Sequence, residues 1–184
     1  AHPSNASATL MAGELLFQDK KYAKALEKYE IATQYDKNNS LLWQRLLECL
    51  DKTNNRTKLM SYSKDMIDLY PSQPYGYYYN GIAQLAVQDY QEASNQFSAA
   101  ADIAVTDPVL QAKALSYLGQ SYVLLNSNSK AEKAFEKALG KTPENPDIKK
   151  QICAVLAGYV WDETNPFVKK HDRLVKNLAH VINM

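Results

Sequence analysis

The stretch Leu115-Ser116-Tyr117-Leu118-Gly119-Gln120-Ser121-Tyr122, with Ala131, Phe135, Ala138 and Pro143 behind it, decides how this chain folds. Apolar and small residues recur in it at three- and four-residue intervals, as a helix with one buried face requires. Twelve residues after Gly119 stands an alanine, Ala131; four more bring an aromatic, Phe135; three more another alanine, Ala138; five more Pro143. The same series runs from Gly81 through Ala93, Phe97 and Ala100, and from Gly13 through Ala25, Tyr29 and Ala32. A more divergent copy lies between them in phase. Leu47 is 34 residues after Gly13 and 34 before Gly81, and Leu59, Ser63, Met66 and Pro71 occupy the matching columns. Pro3, Lys37, Pro71 and Val105 step by 34, and four inserted residues near Thr106 to Gln111 shift the next copy, which Pro143 closes. Self-similarity at a fixed period of this length marks an array of stacked supersecondary units.

Each unit reads as two helices, the first copy carrying Leu15, Leu16, Ala23, Leu26, Tyr29, Ile31 and Ala32 at helical spacing. Short polar turns separate the pair: Gln18-Asp19-Lys20-Lys21, Thr53-Asn54-Asn55-Arg56 and Asn126-Ser127-Asn128-Ser129. Between units come Asp36-Lys37-Asn38-Asn39, Pro71-Ser72-Gln73-Pro74 and Pro143-Glu144-Asn145-Pro146, where proline both stops one helix and suits the first turn of the next. Gly81 and Gly119 let helix axes approach, as do Ala93, Ala100, Ala131 and Ala138, while Phe97 and Phe135 fill the hole between units. In the divergent copy Leu59 stands where alanine is usual and Ser63 where an aromatic is usual. A large-for-small swap beside a small-for-large one conserves core volume if the two lie near one another.

Composition removes several function classes. The 21 Lys+Arg nearly cancel the 20 Asp+Glu, and a net +1 lacks the clustered basic excess of a nucleic-acid footprint. No apolar run approaches the roughly 20 residues that span a bilayer. Cys49 and Cys153 fit no metal or redox spacing and read as buried reduced thiols. His171 and His180 are nine residues apart, on roughly opposite sides of a helix, and His2 is remote in sequence from both. There is no phosphate loop, dinucleotide fingerprint, zinc-helix motif or nucleophile elbow. Glu48 and Asp51 read as a solvated helix face, and nothing assembles a nucleophile, base and orienting group. The expectation is a protein with no catalytic residues, no cofactor and no metal site.

The columns in register resemble the tetratricopeptide repeat family. The resemblance covers four units, 6–39, 40–73, 74–107 and 112–145. Residues 1–5 read as the end of a preceding unit, in a natural protein longer at its N-terminus, or as a cloning scar. Residues 146–184 read as a divergent fifth unit or a cap: Ile148, Ile152, Cys153, Val155, Leu156 and Tyr159 form one stripe, and Phe167, Leu174, Leu178 and Val181 another beyond the loop Asp162-Glu163-Thr164-Asn165-Pro166. The resemblance implies an all-α fold, a right-handed α-α superhelix of antiparallel helix pairs, acting as a binding scaffold.

It also implies that the first helices of successive units line a concave groove. Leu10, Glu14 and Phe17 would face it, then Leu41, Gln44, Glu48 and Asp51, then Tyr75, Tyr78, Ile82 and Leu85, then Lys113, Ser116, Gln120 and Val123. Within Tyr75-Gly76-Tyr77-Tyr78-Tyr79-Asn80, Tyr77 falls in the packing column as a core residue. Tyr75 and Tyr78, three apart, share the groove face, either to bind or only to pack on the next unit. Leu10, Glu14, Tyr75 and Tyr79 stand where a clamp for a chaperone's terminal carboxylate needs basic or amide side chains, so such a tail is not the expected ligand.

Three functions follow: a scaffold holding a protein or peptide segment in the groove, an architectural segment that self-associates through exposed repeat ends, and a surface stacking sugars or small ligands on tyrosines. The abundance of Asn, Gln, Tyr and Lys has a bacterial cast, and cytoplasm and periplasm stay open.

Overall fold

A computed structural model describes the backbone of residues 3–160 and the side chains of 7–155. Among these residues helix is the only regular structure: α1 (Pro3–Gln18), α2 (Tyr22–Tyr35), α3 (Ser40–Lys52), α4 (Arg56–Leu69), α5 (Pro74–Ala86), α6 (Tyr90–Ile103), α7 (Pro108–Leu124), α8 (Asn128–Lys141) and α9 (Pro146–Val160). The expected all-α solenoid of helix pairs is the architecture observed. His171, His180 and the second stripe of 146–184 lie outside the described residues.

Local chemistry sets the helix ends. The side chains of Asn39, Asn55, Asp89 and Asp107 each accept a hydrogen bond from the backbone N–H three residues on, meeting one of the donors a helix start leaves open. Proline opens α5 and α7, where its missing N–H costs nothing. At the far ends of α1, α3 and α7 the chain turns through a left-handed residue. The following N–H reaches back to close the turn: Lys21 N to Leu16 O at 2.8 Å, Asn55 N to Leu50 O at 2.9 Å, Ser127 N to Tyr122 O at 2.8 Å. The left-handed residues are Lys20, Asn54 and Asn126, and Gln88 takes the same conformation after α5.

The four-residue insertion is taken up inside a helix. α7 has 17 residues where α3 and α5 have 13. The sequence reading began this unit at 112, but Asp107 and Pro108 supply a cap and a preset first turn four residues earlier, and the helix starts there. Likewise α1 begins at Pro3, among the residues read as the close of a preceding unit.

The chain divides into two compact units at Val87 and Gln88, in the turn between α5 and α6. In the first, each helix packs on the next from α1 to α5, and α3 also meets α5. Tyr29, Leu42, Leu46, Leu47, Leu50, Leu59 and Met66 are almost wholly buried there. The Tyr29 ring lies over Gly13 so closely that a Cβ at Gly13 would stand 2.7 Å from a ring carbon.

In the second, α6 packs on α7, α7 on α8, and α9 on both α7 and α8. Phe135 lies on Gly119, where a Cβ would stand 2.4 Å from the ring, and Phe97 stacks on Tyr117 at 5.2 Å between centroids. The hole Phe135 fills is therefore inside its own helix pair, and the Phe97 ring reaches α7 of the next pair. The Gln111 side-chain amide donates to the Ala101 carbonyl at 2.8 Å, fastening the start of α7 to α6.

In the divergent copy the two swapped positions are both in the core. Leu59 and Ser63 are both fully buried, one turn apart on α4. The aromatic column, however, packs on the glycine column of its own pair, as Tyr29 does on Gly13 and Phe135 on Gly119. By that register the complement of Ser63 is Leu47, which replaces the glycine, so volume moves from the second helix to the first. Ser63 also belongs to a polar trio. Its hydroxyl donates to the Met60 carbonyl at 3.1 Å and accepts from the Asn80 amide at 2.9 Å, and Gln84 donates to Asn80 at 3.4 Å. Satisfying these buried groups fixes how α5 sits on α4.

Candidate functional site

In the first unit the residues that the sequence assigned to a groove lie on α1, α3 and α5. Leu41 is 56% exposed in the first turn of α3, and Leu10, Glu14, Phe17, Gln44, Glu48 and Asp51 are half-buried. On α5, Tyr75, Ile82 and Leu85 are half-buried. The tyrosine run differs from its sequence reading. Tyr77, assigned to the core, is half-buried, and its hydroxyl donates to the Pro71 carbonyl at 3.1 Å. Tyr78 and Tyr79 are each only 8% exposed and meet edge to face at 5.1 Å. Tyr75 thus stays half-buried, while most of Tyr78 is spent on packing.

The sequence reading missed Arg45. Its guanidinium lies 4.5 Å from the centre of the Phe17 ring, its Nε 3.5 Å from Glu14, and one terminal nitrogen 3.3 Å from Glu48. The Tyr29 hydroxyl donates to the other Glu14 oxygen at 2.8 Å. A chain of charge-assisted contacts thus links α2, α1 and α3 along this face, with Arg45 stacked on an aromatic as its planar cation favours. The i, i+3 spacing of Arg45 and Glu48 was the one visible signal. Asp51 is held by Arg56 from the next helix.

Burial sets the protonation chemistry. Desolvation pushes the Tyr79 phenol well above its usual range, reinforced by Glu48 and then by Tyr78 and Asp51. Burial raises the Cys49 thiol to about 12, Glu48 adding to the effect and Arg45 opposing it. Burial also raises Cys153. A reactive cysteine needs the opposite environment, one that favours the thiolate. No group of three metal-ligating side chains occurs among the described residues. No described helix is long and apolar enough to cross a membrane.

In the second unit, α7 carries the remaining expected residues. Lys113 is exposed and Gln120 half-buried, whereas Ser116 and Val123 are buried. Away from these faces, a cleft of about 340 Å³ lies among Glu30, Lys37, Trp43, Lys58 and Tyr62. Trp43 and Tyr62 meet edge-on at 6.1 Å in it, and Lys58 bonds Glu30 at 2.7 Å across it. That hydrogen bond holds the Lys58 ammonium above its ordinary range.

Comparison with known proteins places the fold. MamA from Desulfovibrio magneticus RS-1, residues 41 to the end, superposes with a TM-score of 0.74 at 16% identity, covering 100% of this chain and 96% of that one. A thermophilic TPR protein of Thermus thermophilus gives 0.70 at 16% identity, covering 97% and 100%. Pseudomonas aeruginosa PilF gives 0.71 at 13% identity, covering 98% and 74%. At such identities the likeness is one of fold. No curated protein sequence matches. A family model described as tetratricopeptide repeat matches residues 1–39 and 78–146, more than half of the chain. With helix pairs in the expected columns and these neighbours, the chain belongs to the tetratricopeptide repeat family, whose members are in general non-catalytic scaffolds for protein interaction.

Proposed function

We propose that this chain holds an extended protein segment along the first-helix face of α1, α3 and α5. One observation carries the reading. On these helices the inward columns are closed, with Leu42, Leu46 and Cys49 of α3 and Asn80 and Ala83 of α5 almost wholly buried, while the columns of Leu10, Phe17, Leu41, Gln44, Tyr75 and Ile82 stay accessible. Apolar and aromatic side chains interleaved with amides and carboxylates suit a partner's alternating side chains and backbone.

The test is capture of partners from the native source by the tethered chain, followed by their sequencing, with Leu41→Ala/Tyr75→Ala as the variant. Leu41 is exposed and Tyr75 half-buried, so the double variant should keep its helical circular dichroism spectrum and lose at least tenfold in capture. Undiminished capture would remove this face from consideration. Tyr78 is unsuitable for such a test, because truncating a buried aromatic costs about 3 kcal/mol or more in stability.

A second reading, assembly through a repeat end, rests on α1. Leu15 is 65% exposed, yet its column partners Cys49 and Ala83 are completely buried. Met11 beside it is equally open. Such a face suits the second helix of another repeat pair, in a longer array or a second copy. Sedimentation should show self-association that Met11→Glu/Leu15→Glu abolishes, and a monomer at all concentrations would dismiss assembly between copies.

A further inference from the structure

We propose that the turn joining α1 to α2, together with the end of α3, is a docking surface for an acidic protein segment, separate from the first-helix face. A cleft of about 420 Å³ lies there, walled by Lys20, Lys21, Lys24 and Lys52 around Tyr22 and Ala23. Four lysines and no acidic residue line it. Asp19 occupies Lys21 at 2.9 Å. Lys20, Lys24 and Lys52 form no ion pair among the described residues, whereas Arg45, Arg56 and Lys58 are each held by carboxylates. Cations gathered without partners raise the local potential, and a concave, partly apolar wall strengthens it.

The surface is preformed. Lys20 is held at φ 58°, and its own N–H and that of Lys21 bond back to Phe17 and Leu16 at 2.9 and 2.8 Å. The Tyr22 ring is anchored edge-on against Phe17 at 5.4 Å. Docking therefore orders side-chain ends only, which lowers its entropic cost.

Shape and charge favour a protein over other polyanions. Three lysines without an ion pair beside one cleft match one or two carboxylates. A nucleic-acid footprint engages about 6–10 phosphates over an extended basic surface, and this chain's net charge is +1. A bilayer surface cannot enter a cleft, whereas a protruding glutamate or aspartate run can.

The experiment titrates fluorescein-labelled hexaglutamate with the full chain and follows anisotropy. Wild type should bind at low salt and release the peptide as salt shortens the screening length. Lys24→Glu/Lys52→Glu should weaken binding at least tenfold with an unchanged circular dichroism spectrum. Lys20→Asn removes a charge from a left-handed position that asparagine tolerates, and should weaken binding several-fold. Leu41→Ala/Tyr75→Ala should bind hexaglutamate like wild type, so the fate of the first-helix face is read separately. Absence of binding, equal binding by the lysine variants, or equally tight binding of a hexameric oligonucleotide or phosphatidylserine vesicles would overturn the proposal.

Discussion

An alanine at Gly119 sets two effects against each other. Helix propensity favours alanine over glycine by about 1 kcal/mol. The new Cβ, however, would stand 2.4 Å from a Phe135 ring that is completely buried and has nowhere to move. Overpacking of this kind costs about 1–3 kcal/mol, so Gly119→Ala should lower stability by urea denaturation, and a rise would refute the tight contact. The same pairing makes a prediction for the divergent copy. Ser63→Phe alone should destabilise, because Ser63 is completely buried and its bond to Asn80 is lost. Adding Leu47→Gly should recover a large part of the loss, a non-additivity of at least about 1 kcal/mol in a double-mutant cycle. Simple additivity would mean the two positions do not share a hole. The columns themselves were legible in the sequence. Which column faces which was not, because spacing reports the face of a helix and not the residue across from it.

At the scale of elements, caps and turns carry the argument. Asp107 accepts from Leu110 N at 2.9 Å, and Asp107→Ala should cost about 1 kcal/mol. Gln88 sits at φ 63°, where a side chain is strained, so Gln88→Gly should raise the unfolding midpoint by the equivalent of about 0.5–1 kcal/mol. A lower midpoint would show that the side chain holds the turn by another contact. Helix pairs and their turns could be read in advance from period, polarity and proline. Asn54 and Asn126 are residues one would choose for left-handed positions, but Lys20 and Gln88 are not, and only their place after α1 and α5 reveals them. The candidate site was legible in part. Outward columns follow from helical phase, so Leu41, Gln44 and Tyr75 could be named. The burial of Tyr78 and the half-exposure of Tyr77 depend on which neighbours close over α5, and the link from Arg45 to Glu14 joins residues 31 positions apart.

For the molecule as a whole, alkaline pH should act through buried neutral acids. Cys49 goes from its ordinary 9.0 to about 12 on folding, and Tyr29 is raised too, by burial and then by its hydrogen bond to Glu14. Above pH 9 the unfolded chain has released the thiol proton that the folded chain keeps, so it binds fewer protons and stability falls as pH rises toward 12. Urea midpoints should decline across that window, and Cys49→Ala should decline less steeply; identical slopes would contradict the shift. Below pH 9 the thiol is protonated in both states and contributes no slope. The helix that absorbs the insertion has a different kind of consequence. Four residues are close to one full revolution of an α-helix, about 400° of rotation and 6 Å of length. α7 therefore became a longer strut almost without twisting, and its side chains before and after the added turn keep nearly the same compass bearings. An extension of two residues would have swung Lys113 and Gln120 to the other side of the rod.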